Sequence, residues 1–236
     1  MGNRTTLAID AGIAWLALDD GKVNALSPDT IGEIDGALDE AARAGAVVVL
    51  TGRPGIFSAG FDLRTFERGR DAGLAMVRAG AELVLRLLAF PQPVLTVCTG
   101  HAYPAGAFLM LAADMRFGVA GPFRIGMNEV AIAMTVPRFA VELARHRLTP
   151  PGFARITTAA LFAPEEAVSL GYLDRLLPPE EIAEAVRLEA SRLRALDPAS
   201  FAATKARINE HALRRVRRAL DDEWLSAAAA TAATST

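Results

Sequence analysis

Two short runs of unbroken apolar character, residues 46–51 (AVVVLT) and 94–98 (VLTVC), place the tightest limit on the fold. A strand wet on one side alternates apolar and polar positions, whereas a strand covered on both faces reads as continuous Val, Ile and Leu. Each run follows a helical stretch. Ser27-Pro28 offers a hydroxyl cap and a proline at the first helical position, Ile31, Ile34 and Leu38 continue at helical spacing, and the helix is expected to end near Gly45. A second long helix is expected over about residues 74–89. Strands and helices in alternation predict an α/β fold with parallel strands.

The flanking segments fill in the picture. Leu7 and Ile9 alternate with small or polar neighbours, Asp10-Ala11-Gly12 makes a turn, and Ile13, Trp15, Leu16 and Leu18 return, which predicts a hairpin. The Gly- and Pro-rich stretch 52–62 is expected to be a loop. Residues 106–113 read as a short apolar helix, and 116–119 and 123–125 as further short strands. From about Val136 the chain is expected to be almost wholly helical, with helix starts at Pro164, Pro178-Pro179 and Asp197-Pro198. The patternless Ala/Thr stretch 227–236 is expected to fray.

Composition narrows the function classes. With 52% hydrophobic residues in 236, the chain can build a substantial core and is not disordered. A net charge of −2 argues against nucleic acid as a partner, and one cysteine rules out a disulfide framework or a Cys-cluster metal site. No apolar run reaches the length of a membrane span, and the first residues lack the apolar stretch of a signal peptide. A cytoplasmic protein is expected. The basic cluster Arg214-Arg215-Val216-Arg217-Arg218 is followed at once by Asp221, Asp222 and Glu223, which reads as an ion-paired helix face.

Three segments that follow strands are odd for plain loops. Residues 57–63 (FSAGFDL) let backbone amides approach a ligand closely. Residues 100–108 (GHAYPAGAF) run straight into an apolar helix, so amides near Ala105 sit at a helix N-terminus and favour negative charge. Residues 126–130 (GMNEV) set one carboxylate, Glu129, among apolar neighbours. Two backbone donors from separate loops can hold an oxyanion, and a carboxylate of raised pKa can move a proton. Cys98 reads as an inert buried thiol, and His101, His146 and His211 show no ligand spacing.

These segments, with KVNALSPD near the start and PEEAVSLGYLDRLLPPEE toward the end, resemble the crotonase (enoyl-CoA hydratase/isomerase) superfamily, in order and over nearly the whole chain. The resemblance implies an α/β fold built as a spiral of ββα units over residues 1–177. A helical C-terminal region over 178–236 would trimerise, giving a homotrimer or a dimer of trimers. It implies an acyl-CoA thioester as substrate, with no cofactor besides the CoA that the substrate carries. The thioester oxygen would sit between the backbone N–H groups of Phe61 and Ala105, the latter and Pro104 standing where most members have glycines. Lys22, Val23 and Asn24, with Ser58 and Ala59, would line the CoA end, and Lys205 matches a lysine that lies near the CoA phosphates in some members.

One departure directs the chemistry. Family hydratases usually carry a glutamate where this chain has Phe108, and a second at the position of Glu129. A single carboxylate suffices to take a proton from the α carbon of a 3-enoyl thioester and return it at the γ carbon, so double-bond isomerisation is the leading expectation. The alternatives are hydration with a water held by His101 or Tyr103, another thioester-enolate reaction, and an inert CoA-binding subunit. Leu63, Phe66, Met76, Phe108, Met127, Met134 and Phe139 are candidates for the acyl pocket.

Overall fold

Both continuous apolar runs are interior strands. The structure, a computed structural model, describes residues 3–234, with side chains as far as 225. Strands β1 (Thr5–Asp10) and β2 (Ile13–Leu18) form the expected hairpin, and helix α1 (Pro28–Arg43) starts where Ser27 accepts the Thr30 N–H. There follow β3 (Val47–Thr51), β4 (Gly55–Ser58), α2 (Leu63–Glu67), α3 (Arg70–Ala89), β5 (Val94–Cys98), β6 (Gly100–Ala102), α4 (Pro104–Ala112), β7 (Met115–Val119) and β8 (Ile125–Gly126). A 3₁₀ turn (Glu129–Ile132) leads to α5 (Arg138–Arg147), α6 (Pro150–Ala154), β9 (Leu161–Phe162), α7 (Pro164–Leu170), β10 (Arg175–Leu177), α8 (Pro179–Arg194) and α9 (Pro198–Thr234). Against the expected fraying of 227–236, the backbone is helical through Thr234, and residues 235–236 lie outside the described residues.

The larger sheet has the order β1-β2-β3-β5-β7-β10, antiparallel only at β1–β2 and parallel across the other pairs. The β3 side chains explain its unbroken apolar run. Val48 and Leu50 face the main helical core with Leu38, Leu88 and Leu111, while Val47 and Val49 face a second cluster with Leu95, Phe117, Val186 and Leu193. Each such buried side chain contributes roughly 1.5–3 kcal/mol.

A second sheet, β4-β6-β8-β9, runs mostly through stretches read as loop or helix in the sequence, β8 alone overlapping the expected strand 123–125. The expected loop 52–62 contains β4, which pairs in parallel with β6, with an irregularity between Ile56 and Ser58. The expected helical third contains β9 and β10. These strands have two to four residues, too few to show a period, and exist because a partner lies beside them.

Helix α9 lies on its own chain's α3 and α5. Asn209 donates to the Leu88 carbonyl at 2.8 Å and Lys205 pairs with Asp114 at 2.6 Å. The arginine cluster is ion-paired throughout, Arg214 with Glu210, Arg215 with Glu142, Arg217 with Glu82 and Arg218 with Asp222. Among the described residues no helix is long and apolar enough to cross a membrane.

Candidate active site

The three odd segments meet at one cavity. It holds about 360 Å³ between the loop from Ala59 through α2, the start of α4 and the 3₁₀ turn. Gly60 has φ +93°, a left-handed conformation that favours glycine. Its carbonyl accepts the Leu26 N–H at 2.8 Å, and the Leu26 carbonyl accepts the Asp62 N–H at 3.2 Å. The Phe61 amide between them has no acceptor among the described residues. A methyl built on Gly60 would lie 3.6 Å from the Ala105 nitrogen, so the two loops are nearly in contact there. Ala105 stands in the first turn of α4, where amides have no partner within the helix and the dipole favours negative charge.

Glu129 lines the same cavity. It is 5% exposed, and among the described residues neither carboxylate oxygen has a hydrogen-bond partner. Burial pushes the carboxyl up to about 7, against a small opposing effect of its own backbone amide. The segment that carries it is held at both ends. Ile125 of β8 pairs with Ala102 of β6, and the Glu129 carbonyl accepts the Met134 N–H at 2.9 Å. Phe108 also lines the cavity, edge-on to Phe61 (ring centroids 6.3 Å apart) and to Phe139 (5.5 Å). Among the described residues no carboxylate other than Glu129 reaches the cavity wall. Buried Tyr172 is near enough for Glu129's charge to act on it. Burial first, and that charge second, hold its phenol above the usual tyrosine range.

Of the residues expected at this site, Ala59, Phe61 and Glu129 line the cavity, and Ala105 lies directly behind Pro104, which also lines it. Lys22 and Val23 are exposed beside it, since the Val23 carbonyl accepts the Ala59 N–H at 2.9 Å. Three of the expected residues turn their side chains into the fold. Asn24 is buried, and its side-chain amide donates to the Leu18 and Phe57 carbonyls at 2.9 and 3.2 Å, so its side chain ties loops together rather than facing a ligand. The Ser58 hydroxyl is likewise turned inward, donating to the Asn24 carbonyl at 2.7 Å and accepting from the Gly60 N–H at 3.2 Å. Lys205 is buried in its ion pair with Asp114, so its charge is spent inside the fold.

Smaller differences concern the walls. Tyr103 lines the cavity but His101 does not; its Nδ1 accepts the Arg124 N–H at 3.1 Å. Leu63, Phe66, Phe108 and Met134 line it as expected, whereas Met76, Met127 and Phe139 are core residues behind the wall. Val77, Thr135 and Leu161 were not foreseen as lining. Leu161 belongs to β9, brought in by long-range pairing with Gly126, and nothing local signals it. Among the described residues no group of His, Cys, Asp or Glu is placed to hold a metal ion.

With this geometry in hand, comparison with known proteins is direct. The sequence profile of the enoyl-CoA hydratase/isomerase family matches residues 8–232. A probable enoyl-CoA hydratase of Mycobacterium tuberculosis, EchA17, is 33% identical over 209 residues, 85% of this chain and 78% of the relative. The crystal structure of an enoyl-CoA hydratase/isomerase family protein from Pseudomonas syringae superposes with a TM-score of 0.91 at 40% identity, over 93% of this chain and 96% of that one. A Mycobacterium tuberculosis structure described as an enoyl-CoA isomerase gives 0.89 at 36% identity, over 94% and 97%. The spiral α/β fold, the cavity between its loops and the match along the whole length agree: the chain belongs to the enoyl-CoA hydratase/isomerase family.

Proposed function

We propose that the protein shifts the double bond of a 3-enoyl-CoA to the 2-position, with Glu129 moving the proton. The observation that carries this reading is the pairing of one buried, unpartnered carboxyl with a phenylalanine, Phe108, where a second acid would be needed to handle water. The Glu129 carboxylate takes a proton from C2. The electrons of that C–H bond delocalise over C1 to C4, and charge collects on the thioester oxygen. The Phe61 and Ala105 amides receive that oxygen, each worth roughly 3 kcal/mol when well placed. The neutral Glu129 then returns its proton to C4, the double bond comes to rest between C2 and C3, and the carbonyl is restored. Nothing is oxidised or reduced, and no cofactor beyond the substrate's own CoA is required.

Ala59 with exposed Lys22 and Val23 forms the mouth and would meet the CoA portion. The apolar walls from Leu63 to Met134 would meet the acyl chain. As for assembly and place, a homotrimer in the cytoplasm fits the family, and light scattering on the purified protein tests the trimer.

The test is incubation with a medium-length 3-enoyl-CoA, following the ultraviolet absorbance of the conjugated thioester and the product mass. Conjugation without mass gain is expected. A product heavier by one water overturns isomerisation and favours hydration, for which Tyr103 on the cavity wall is the group to examine. Binding with no turnover at all overturns both and leaves a CoA-binding subunit or another thioester-enolate reaction.

A further inference from the structure

Helix α3 presents Gly73, Val77 and Gly80 on one face, at spacings of four and three residues. Val77 lines the cavity. To either side of it an aromatic ring, Phe61 from the loop and Phe66 from α2, rests against bare helix. A Cβ at Gly73 would lie 2.6 Å from Phe66 Cδ1, and a Cβ at Gly80 would lie 2.6 Å from both Cε1 and Cζ of Phe61. Carbon atoms do not pack that closely, since attraction between them is best near 3.5–4.0 Å. The two rings therefore occupy notches that exist only because α3 has no side chain at 73 and 80. Both rings are cavity walls. On another side Phe61 meets the edge of buried Phe108. A ring pushed off α3 has the cavity itself as its open direction. Glycine weakens a helix interior relative to alanine, so two on this one face come at the expense of helix stability.

We propose that Gly73 and Gly80 determine how long an acyl chain the protein accepts, by letting Phe66 and Phe61 stand back from the bound chain. This rests on the reading that the cavity takes an acyl-CoA. The inference differs from it in naming what sets the cavity's depth. Alanine at 80 drives the Phe61 ring into the cavity and shortens the longest chain that fits. A smaller side chain at 61 undoes that effect.

The test is calorimetric binding of saturated butanoyl-, octanoyl- and dodecanoyl-CoA, which cannot isomerise, to the native chain, Gly80→Ala, Gly80→Ala/Phe61→Leu and Gly32→Ala. Gly32, on α1, has open space around its Cβ position and serves as the control for adding a methyl to a helix. Gly80→Ala is expected to weaken the longer chains by about tenfold or more while changing butanoyl-CoA less than about threefold. Phe61→Leu in that background is expected to restore the longer chains, and Gly32→Ala to match the native profile. An unchanged Gly80→Ala profile, equal weakening at every length, or failure of Phe61→Leu to restore it each overturns the inference. If Gly80→Ala does not fold, Phe61→Leu and Phe66→Leu alone test the same point from the other side. Each is expected to improve dodecanoyl-CoA relative to butanoyl-CoA, and no relative change overturns the inference. Length-dependent binding without turnover of 3-enoyl-CoA would overturn the isomerase reading alone, whereas no binding of any acyl-CoA by the native chain overturns both.

Discussion

Glu129 concentrates the consequences of single side chains. As a base it acts only when ionised, so turnover of 3-enoyl-CoA is expected to rise with pH and level off above about 7, where burial has placed its pKa. A pH–rate profile with its midpoint near the ordinary glutamate value of 4.5 would contradict this. Glu129→Gln is expected to lower kcat by about a hundred- to ten-thousandfold. The same substitution is expected to stabilise the fold at neutral pH. Between 4.5 and about 7 the unfolded chain ionises this carboxyl while the folded chain keeps it protonated, so its stabilising effect is lost as pH rises through that window. The difference is on the order of 2–3 kcal/mol and is measured by urea unfolding of both proteins at pH 8. Ala105→Pro tests the amide. The missing N–H has no partner in the helix, so kcat is expected to fall about a hundredfold or more with acyl-CoA affinity retained. A modest drop in stability accompanies it, because Pro104 would then precede a proline in a helical conformation. Glu129 was legible in the sequence because one carboxylate among apolar residues is chemically conspicuous. The inward hydrogen bonds of Asn24 and Ser58 were not legible, because a sequence does not show whether a polar side chain turns toward a ligand or toward its own loops.

At the scale of elements, long periodic segments were legible, and of the short paired ones β7 and the start of β8 were, while the others were not. The helices α1 and α3 and the strands β3 and β5 carry their own pattern. The strands β4, β6 and β9 carry none, and with β8 they build the floor from which the loops of Ser58, Tyr103 and Glu129 emerge. Lys205 illustrates the same limit. In α9 it is one basic residue among many, yet the fold delivers it to Asp114, which also accepts the Val94 N–H at 2.8 Å. Lys205→Ala leaves that partly buried carboxylate without its cation and is expected to destabilise the fold by roughly 2–4 kcal/mol. Urea unfolding measures the loss, and calorimetry is expected to find CoA affinity unchanged. A large fall in CoA affinity with stability intact would return Lys205 to the ligand.

For the whole molecule, two titrating groups, the buried Glu129 and the half-buried His146, pull stability in opposite directions. His146 accepts or donates a hydrogen bond with Asn209 at 3.1 Å. Burial first, then the charge of Arg147 and, more weakly, Arg116, holds its pKa below 6.5. The unfolded chain therefore takes up that proton more readily, and stability is lost as pH falls below 6.5. Glu129 has the reverse slope. Glu129→Gln removes the Glu129 contribution and keeps that of the histidine, so its melting temperature is expected to climb more steeply from pH 5 to 7 than that of the native protein. Parallel curves for the two proteins would contradict the Glu129 assignment.

The helix α4 is buried along its entire length after Pro104, and its far end is gripped as well. The Arg147 guanidinium donates to the Leu111 and Ala113 carbonyls at 2.9 and 3.0 Å, and Arg116 donates to Ala113 at 3.3 Å. The opposite wall of the cavity comes from α2 and α3, where Leu63 is 59% exposed and Val77 only half-buried. The two walls therefore differ in their tolerance of mutation. Changes along α4 disturb the core and the Ala105 amide together and are expected to be purged. Changes along α2 and α3 are expected to alter what the cavity holds and to leave Glu129 where it is. A lineage built on this chain is free to explore new acyl groups long before it explores new reactions.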